Sequence, residues 1–570
     1  MPQVSLPFTK ENKADKHGED FFQCTLFQML PKPAQEASQR HPHLLEYLHM
    51  VPVAEVGMPK YYSQLTRRMQ DISHPNLIYP VTEGVFAHIY PDLHDGRDMY
   101  ISVEPVLVEK LDKLMQSLER RMLDMGDRLD TVSTDDDKKE AFVRCVDENF
   151  TTGRTGGGLF RRSGKNGKIR VTPHQMEGLK YLIVRDKIGL GILEPMVHDR
   201  YVEDISCSGL GTIFIEHKIF RSLKTPISFA SLEELDEFVL RLSERIKKPV
   251  SFRNPIVDAS LPDGSRINIV YGRDISKRGS NFSIRKFSET PMSVMELIEL
   301  GTLDYRMAAY LSLVIGEGMN VFVAGETASG KTTTLNAVTT FIHSNAKIVS
   351  IEDTPELQVP HKNWIREVVQ TTKEQSETAV TMFDLLKAAL RQRPNEILVG
   401  EIRGPEGNIA FQAMQTGHSV MATFHAASVE KLIQRLTGNP ISVPKAYIDN
   451  LNVVVVQSAV KLPTGKTGRR VLSINEVIGF DPIKQSFSFV EVFRWDPVND
   501  VFEFTGDMNS YLLEQKIALK RGIPSHNKKR IYLELDRRTQ ILERLHKEQG
   551  VSGFYELLQV LAKAQREGLF

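Results

Sequence analysis

Apolar and polar positions follow different rhythms along this chain, and the changes of rhythm divide it. After a polar, Pro-containing start, a short helical pattern lies at 43–50. From Asn76 the segments NLIYPV, GVFAHIY and DMYISV read as short strands. Helical spacing returns over 106–125 and 136–146, where the acidic run Asp135, Asp136, Asp137 is expected to cap the second helix, with a metal site as the weaker reading. Between 153 and 170 the pattern lapses. Six glycines and six basic residues stand there without an acid, which reads as a flexible linker or exposed loop, or else as a contact for an acidic partner or lipid headgroups.

From Thr172 helix and strand patterns mix again. The clearest helix spans 232–247, with Leu232, Leu235, Phe238, Val239, Leu242 and Ile246 on one apolar face and Ser231 with Glu234 as a capping box. Short apolar strands follow at 321–324, 348–351, 397–399 and 420–423, each adjoining a helical run. Such alternation predicts a mainly parallel sheet with helices on its faces. The expected division is an α+β extension over 1–150, a Gly/basic linker over 151–171, a smaller α/β domain over 172–290, and an α/β domain with a C-terminal helical extension over 291–570.

Composition narrows the function. At 570 residues, 41% of them hydrophobic, the chain has room for two or three domains with buried cores. Lys plus Arg number 72 and Asp plus Glu 72, a balance that argues against a strongly basic nucleic-acid binder. Cys24, Cys145 and Cys207 are too far apart for a Cys-x-x-Cys zinc site and odd in number for a disulfide framework, so a structural role in a reducing cytoplasm is expected. The N-terminus lacks a signal-peptide pattern and no apolar stretch approaches 18 residues; the longest, 307–316, stops at Glu317. Any membrane role is expected to run through a partner.

The chemistry concentrates at 325–332, where GETASGKT follows Val321, Phe322, Val323 and Ala324 and opens the helix-forming run KTTTLNAVTTF. Gly325 and Gly330 are expected to take positive φ, turning backbone N–H groups inward to form an anion nest at a helix N-terminus. Glu326, Thr327, Ala328 and Ser329 complete the loop, and Thr333 follows it. Lys331 supplies a mobile charge for the β and γ phosphates of ATP, and Thr332 a hydroxyl for Mg²⁺. The plainer reading is a glycine turn into an ordinary helix. Ligands of open α/β sheets sit at the carboxyl ends of the strands, where this chain places Glu352 with Asp353, Gly400 with Glu401, and His425. Carboxylates there can hold Mg²⁺ or prepare an attacking water, although such acids also commonly cap the next helix.

Taken together, GETASGKT, SIEDTPE (350–356), ILVGEIRG (397–404) and TGHSVMATFHAAS (416–428) resemble, in order, the Walker A, Asp box, Walker B and His box of the type II/IV secretion ATPase superfamily. Gly400 stands where other phosphate-loop enzymes carry an aspartate, as this family itself shows. The resemblance covers roughly 170–480 and implies a RecA-like ATPase domain preceded by a smaller, PAS-like α/β domain. Glu352 would then be the general base or water-orienting acid, Glu401 the Walker B acid near Mg²⁺, and His425 a γ-phosphate sensor. For His418, packing beside it and a satisfied core histidine stay open. PIVDASLPDGSRINIV (255–270) and NFSIRKF (281–287) are similar to the family's N-terminal domain, which makes Arg266, Arg278 and Arg285 candidate transition-state arginines and Arg273 a weaker one.

The phrasing KIVSIEDTPEL, the extension over 488–514 and the lack of a four-cysteine zinc module look most like the archaeal branch, and within it the archaellum motor ATPase. That resemblance implies a cytoplasmic homo-oligomeric ring, a hexamer, peripheral at the inner face of the membrane. Its partners would be a polytopic platform protein and other archaellum or pilus motor components, with no nucleic acid. Domain closure about 287–295 would turn nucleotide state into motion. The rivals are a RecA-like nucleic-acid motor, meaning a helicase or DNA-packaging ATPase, and a non-enzymatic nucleotide-responsive scaffold.

Overall fold

The structure is a computed structural model that describes residues 3–8, 24–92, 95–107, 111–123, 134–152, 168–261, 263–287, 290–369, 380–484 and 486–570. The chain forms two compact units, Met1–Ser288 and Glu289–Phe570. Most of the expected linker, 153–167, and two residues of the expected hinge, 288 and 289, lie outside the described residues.

In the first unit the described strands build an eleven-stranded sheet. Its path runs from Ile256–Ser260 through Arg266–Val270, Asn281–Arg285, Val202–Cys207, Gly211–His217 and Arg221–Phe229. It continues through Met99–Val103, Val85–Tyr90 and Leu77–Thr82 to Lys60–Tyr61, and the eleventh strand, Gln3–Val4, pairs antiparallel with Arg221–Phe229 off this path. The strands read before the linker and those read after it therefore share one sheet, joined in parallel where Lys224 meets Met99. A buried carboxylate ties the same halves together: Tyr79 and Tyr100 both donate to Asp199 Oδ2, at 2.6 and 2.8 Å. All three cysteines are buried and free.

Helix Leu232–Arg245 covers this sheet with the face its period predicts, burying Leu235, Phe238, Val239 and Leu242. Ser231 caps it by accepting the Glu234 N–H, but the Glu234 carboxylate takes the N–H of Ala230 instead of Ser231, so the expected box closes one residue early. Two other expectations need correction. Helix Asp135–Asn149 is capped by Thr134, whose hydroxyl accepts from the Asp137 N–H, and the aspartates fill its first turn instead. The helix begins at Asp135, one residue earlier than expected, which leaves Thr134 at the N-cap position and sets the aspartates beside the positive end of the helix dipole. The flanks of the linker are also ordered, since Phe150–Thr152 pairs in parallel with Ile169–Val171; Phe150 and Val171 are apolar enough to be buried there.

The second unit carries a nine-stranded sheet in the order Trp364–Val368, Ile348–Glu352, Glu396–Ile402, Ser419–Phe424, Val321–Gly325, Val453–Lys461, Thr467–Asp481, Ser486–Asp496, Val501–Phe504. The first six are parallel and the rest antiparallel. Continuous apolar runs suit parallel strands covered on both faces. Side chains alternate accordingly, with Val321 and Val323 entering one core and Phe322 and Ala324 the other. The apolar run 307–316 lies within helix Tyr305–Gly316, which packs against helix Lys529–Lys547 inside the first of these cores. Among the described residues no helix is long and apolar enough to cross a membrane. This RecA-like α/β arrangement brings the carboxyl ends of the parallel strands to one edge.

Candidate functional site

The phosphate loop leaves the end of strand Val321–Gly325 and enters helix Lys331–Val338. Its left-handed positions are Ala328, at φ 61°, and Gly330, at φ 94°. Gly325 does not take the expected positive φ, and its glycine has another cause. It lies opposite Gln457, and a Cβ there would stand 2.2 Å from the Gln457 carbonyl oxygen and 2.5 Å from Ser329 Oγ. Lys331 is buried, and its Nζ donates to the Glu326 carbonyl at 2.8 Å. Burial pulls the ammonium below its ordinary pKa. The buried Ser329 hydroxyl has no partner within the loop, which fits a site built to receive another polar group.

Glu352 ends the neighbouring strand, 1% exposed. Its Oε1 accepts the N–H groups of Glu356 and Leu357, both at 2.7 Å, while Oε2 faces Arg366 Nε at 3.5 Å. Burial pushes its carboxyl up to about 6, against the pull of those N–H groups and of Arg366. Gly400 accounts for part of this packing, because a Cβ there would lie 3.1 Å from Glu352 Cγ. The aspartate usual before the Walker B glutamate would crowd this carboxylate and set a like charge beside it, which opposes its ionisation.

Pairing between Glu396–Ile402 and Ser419–Phe424 slips between Val399 and Ile402, so the segment holding Gly400 and Glu401 bulges. A bulge re-aims side chains. Glu401 Oε1 lies 2.8 Å from His425 Nε2 and its Oε2 accepts from Arg403 Nη2 at 2.5 Å. Burial lowers the His425 pKa; Glu401 opposes that, and the positive charges of Lys331 and Arg403 reinforce it. A neutral imidazole between a carboxylate and a phosphate site can pass or register a proton. Glu396, at the opposite end of the Glu401 strand, is pushed up to about 8 by burial and lies on the wrong edge for this chemistry.

The structure thus brings residues 325–333, Glu352, Glu401 and His425 to one edge of one sheet. His418 is not among them. It precedes the first residue of strand Ser419–Phe424, bonds to Thr416 Oγ1 at 3.0 Å, and is separated from His425 by the length of the strand. In the first unit Arg266 and Arg285 are cross-strand neighbours, both exposed, with Arg266 clamped to Asp258 through two nitrogens at 3.0 and 2.5 Å. Arg278 and Arg273 stand apart from them in the exposed turn before strand Asn281–Arg285.

Sequence reading assigned no role to Arg366, Arg403, Gln457 or Arg469. Arg403 was visible inside the motif ILVGEIRG; the other three carry no local signal.

The family model described as "Type II/IV secretion system protein" matches residues 186–479. An uncharacterized protein of Methanocaldococcus jannaschii is 42% identical over 94% of this chain and 97% of its own length. The type IV secretion system protein PtlH of Bordetella pertussis is 33% identical over 36% of this chain and 68% of its own. Among solved structures, the Legionella pneumophila ATPase DotB matches 65% of this chain and 95% of its own at 18% identity, with a TM-score of 0.39, too loose a likeness to bear on the site.

Proposed function

Because the chain belongs to the type II/IV secretion system protein family, we propose that it is an ATP-hydrolysing motor that drives secretion or filament assembly at a membrane. The observation that carries this is the convergence of the phosphate loop, Glu352, Glu401 and His425 at the carboxyl edge of adjacent parallel strands. ATP is the ligand this edge suits. The loop N–H groups and Lys331 bind the β and γ phosphates, and the helix beginning at Lys331 adds its positive end. Thr332 and Glu401 are the residues suited to Mg²⁺, which when bound supplies neutralising charge across those phosphates.

In this reading Glu352 takes the proton of the attacking water. Its raised pKa makes it a better base than an ordinary surface carboxylate, and its two backbone N–H bonds hold it in place. His425 reports on the γ-phosphate through Glu401. Arg266 and Arg285, side by side on an exposed face, supply the charge that stabilises the transition state, with Arg278 a less favoured contributor. The chain works as a homo-oligomeric ring, a hexamer, on a polytopic platform protein, and nucleotide state moves one unit against the other. The served machine is an archaeal type IV pilus-like filament, the archaellum first, a reading supported by the phrasing of 347–357 and 488–514.

Steady-state hydrolysis of purified chain with and without Mg²⁺ tests the core of this reading. Lys331→Ala is expected to lose nucleotide binding, and Glu401→Gln to keep binding with turnover down by at least about 100-fold. Unchanged turnover in Glu401→Gln would refute it. Deleting the gene and scoring swimming against surface adhesion tests which filament is served: loss of swimming alone supports the archaellum, and loss of adhesion alone overturns that choice.

A further inference from the structure

Two side chains outside every recognised motif hold the phosphate loop from behind. Gln457, 1% exposed on strand Val453–Lys461, accepts the Thr334 hydroxyl on Oε1 at 2.7 Å and donates from Nε2 to the Ser329 carbonyl at 2.9 Å. Arg469, exposed on the next strand, donates from Nε to the Ala328 carbonyl at 3.1 Å. The register makes both contacts possible, placing Gln457 opposite Gly325 and Arg469 opposite Ala459.

These contacts have a direction. In a trans peptide the carbonyl and the N–H that follows it point opposite ways. An Ala328 carbonyl held outward by Arg469 therefore turns the Ser329 N–H to the other side, and a Ser329 carbonyl held by Gln457 does the same for the Gly330 N–H. The Ser329 N–H does point that way: it reaches the Glu326 carbonyl at 3.4 Å, the same oxygen that takes Lys331 Nζ. The donor that must meet a phosphate and the ammonium that must meet it converge on one point. The Gln457 to Thr334 bond fastens this turn to the helix behind it, so loop and helix N-terminus are set as one piece.

We propose that Gln457 and Arg469 are positioning residues that orient the Ser329 and Gly330 N–H groups toward the nucleotide's phosphates. This rests on the reading of the site as an ATP site. Neither residue needs to touch the nucleotide, since each acts through a carbonyl of the loop.

The test uses the full chain, with ADP as the binding probe and steady-state ATP hydrolysis for KM and kcat. Arg469→Ala is expected to weaken ADP about fivefold and Gln457→Leu about tenfold, the size of one or two lost hydrogen bonds. KM should rise in step while kcat falls less than about threefold, because the reacting groups are untouched. Arg469→Lys, which can still donate to the Ala328 carbonyl, should recover most of the loss. The melting temperature of nucleotide-free Arg469→Ala should match wild type, so this variant decides the matter even if Gln457→Leu folds poorly. Affinity and KM within about twofold of wild type in Arg469→Ala and Gln457→Leu would overturn the proposal, as would an Arg469→Ala loss matched by a lower melting temperature. A wild-type chain that binds no ADP and hydrolyses no ATP would instead remove the ATP-site reading itself.

Discussion

At Glu352 stability and function pull in opposite directions. Its carboxyl sits at about 6 because it is buried, so the folded chain holds the proton more tightly than the unfolded chain does. The stability tied to that proton is fully present below the unfolded value near 4.5 and is lost as pH rises through 6; the difference is about 2 kcal/mol. Glu352→Gln is therefore expected to raise stability above pH 6 by up to about 2 kcal/mol in denaturant titrations while abolishing turnover. In wild type kcat should climb with pH through about 6 as the base becomes available. Gly400→Asp puts a second acid against Glu352, so the same limb should move to higher pH, with lower kcat. Stopped assays across pH 5–8, on about half-unit steps, would check both. Residue type alone marked Glu352 and Glu401 as acids at strand ends. It could not indicate that Glu352 accepts two backbone N–H bonds or that His425 reaches Glu401, because the first depends on how the turn after its strand folds back and the second joins two strands that only the sheet brings together.

Among the elements, the hairpin of Val453–Lys461 and Thr467–Asp481 matters most to the loop beside it. Its second strand is anchored by Arg470, 6% exposed, which grips Asp500 at 2.7 and 2.8 Å and the Leu300 carbonyl at 3.0 Å. Arg470→Ala should cost about 2 kcal/mol, less than a fully buried pair because Asp500 is partly exposed, and calorimetry of the purified chain would show it. Helix Val429–Thr437, which follows His425, begins at Ser428, whose hydroxyl accepts the Lys431 N–H. Ser428→Ala should lower stability by about 1 kcal/mol and leave ADP affinity unchanged. The strands were legible because Val321–Gly325, Ile348–Glu352 and Ser419–Phe424 are short apolar runs between helical patterns. The cap falls on Thr134 and not on the aspartates because the helix starts at Asp135, one residue before the start that the apolar pattern marks.

For the whole molecule, zero net charge predicts hydrolysis that DNA does not stimulate, and salt-dependent DNA binding with stimulated turnover would favour the nucleic-acid rival. Light scattering of the chain with Mg²⁺ and a non-hydrolysable ATP analogue should report a species about six times the protomer mass, and a monomer under all conditions would rule out the ring. The sequence by itself determined the family and marked a phosphate loop with acids at the ends of the strands that follow it, because these are local patterns written in consecutive residues. Only the tertiary structure decided that one sheet unites the segments on either side of 153–167, that His418 lies at the far end of its strand, and that Gly325 answers to crowding and not to φ. It also placed Gln457 and Arg469 behind the phosphate loop, more than a hundred residues along the chain. Such contacts depend on which strands lie side by side and in what register, and no pattern within a single stretch of chain contains that information.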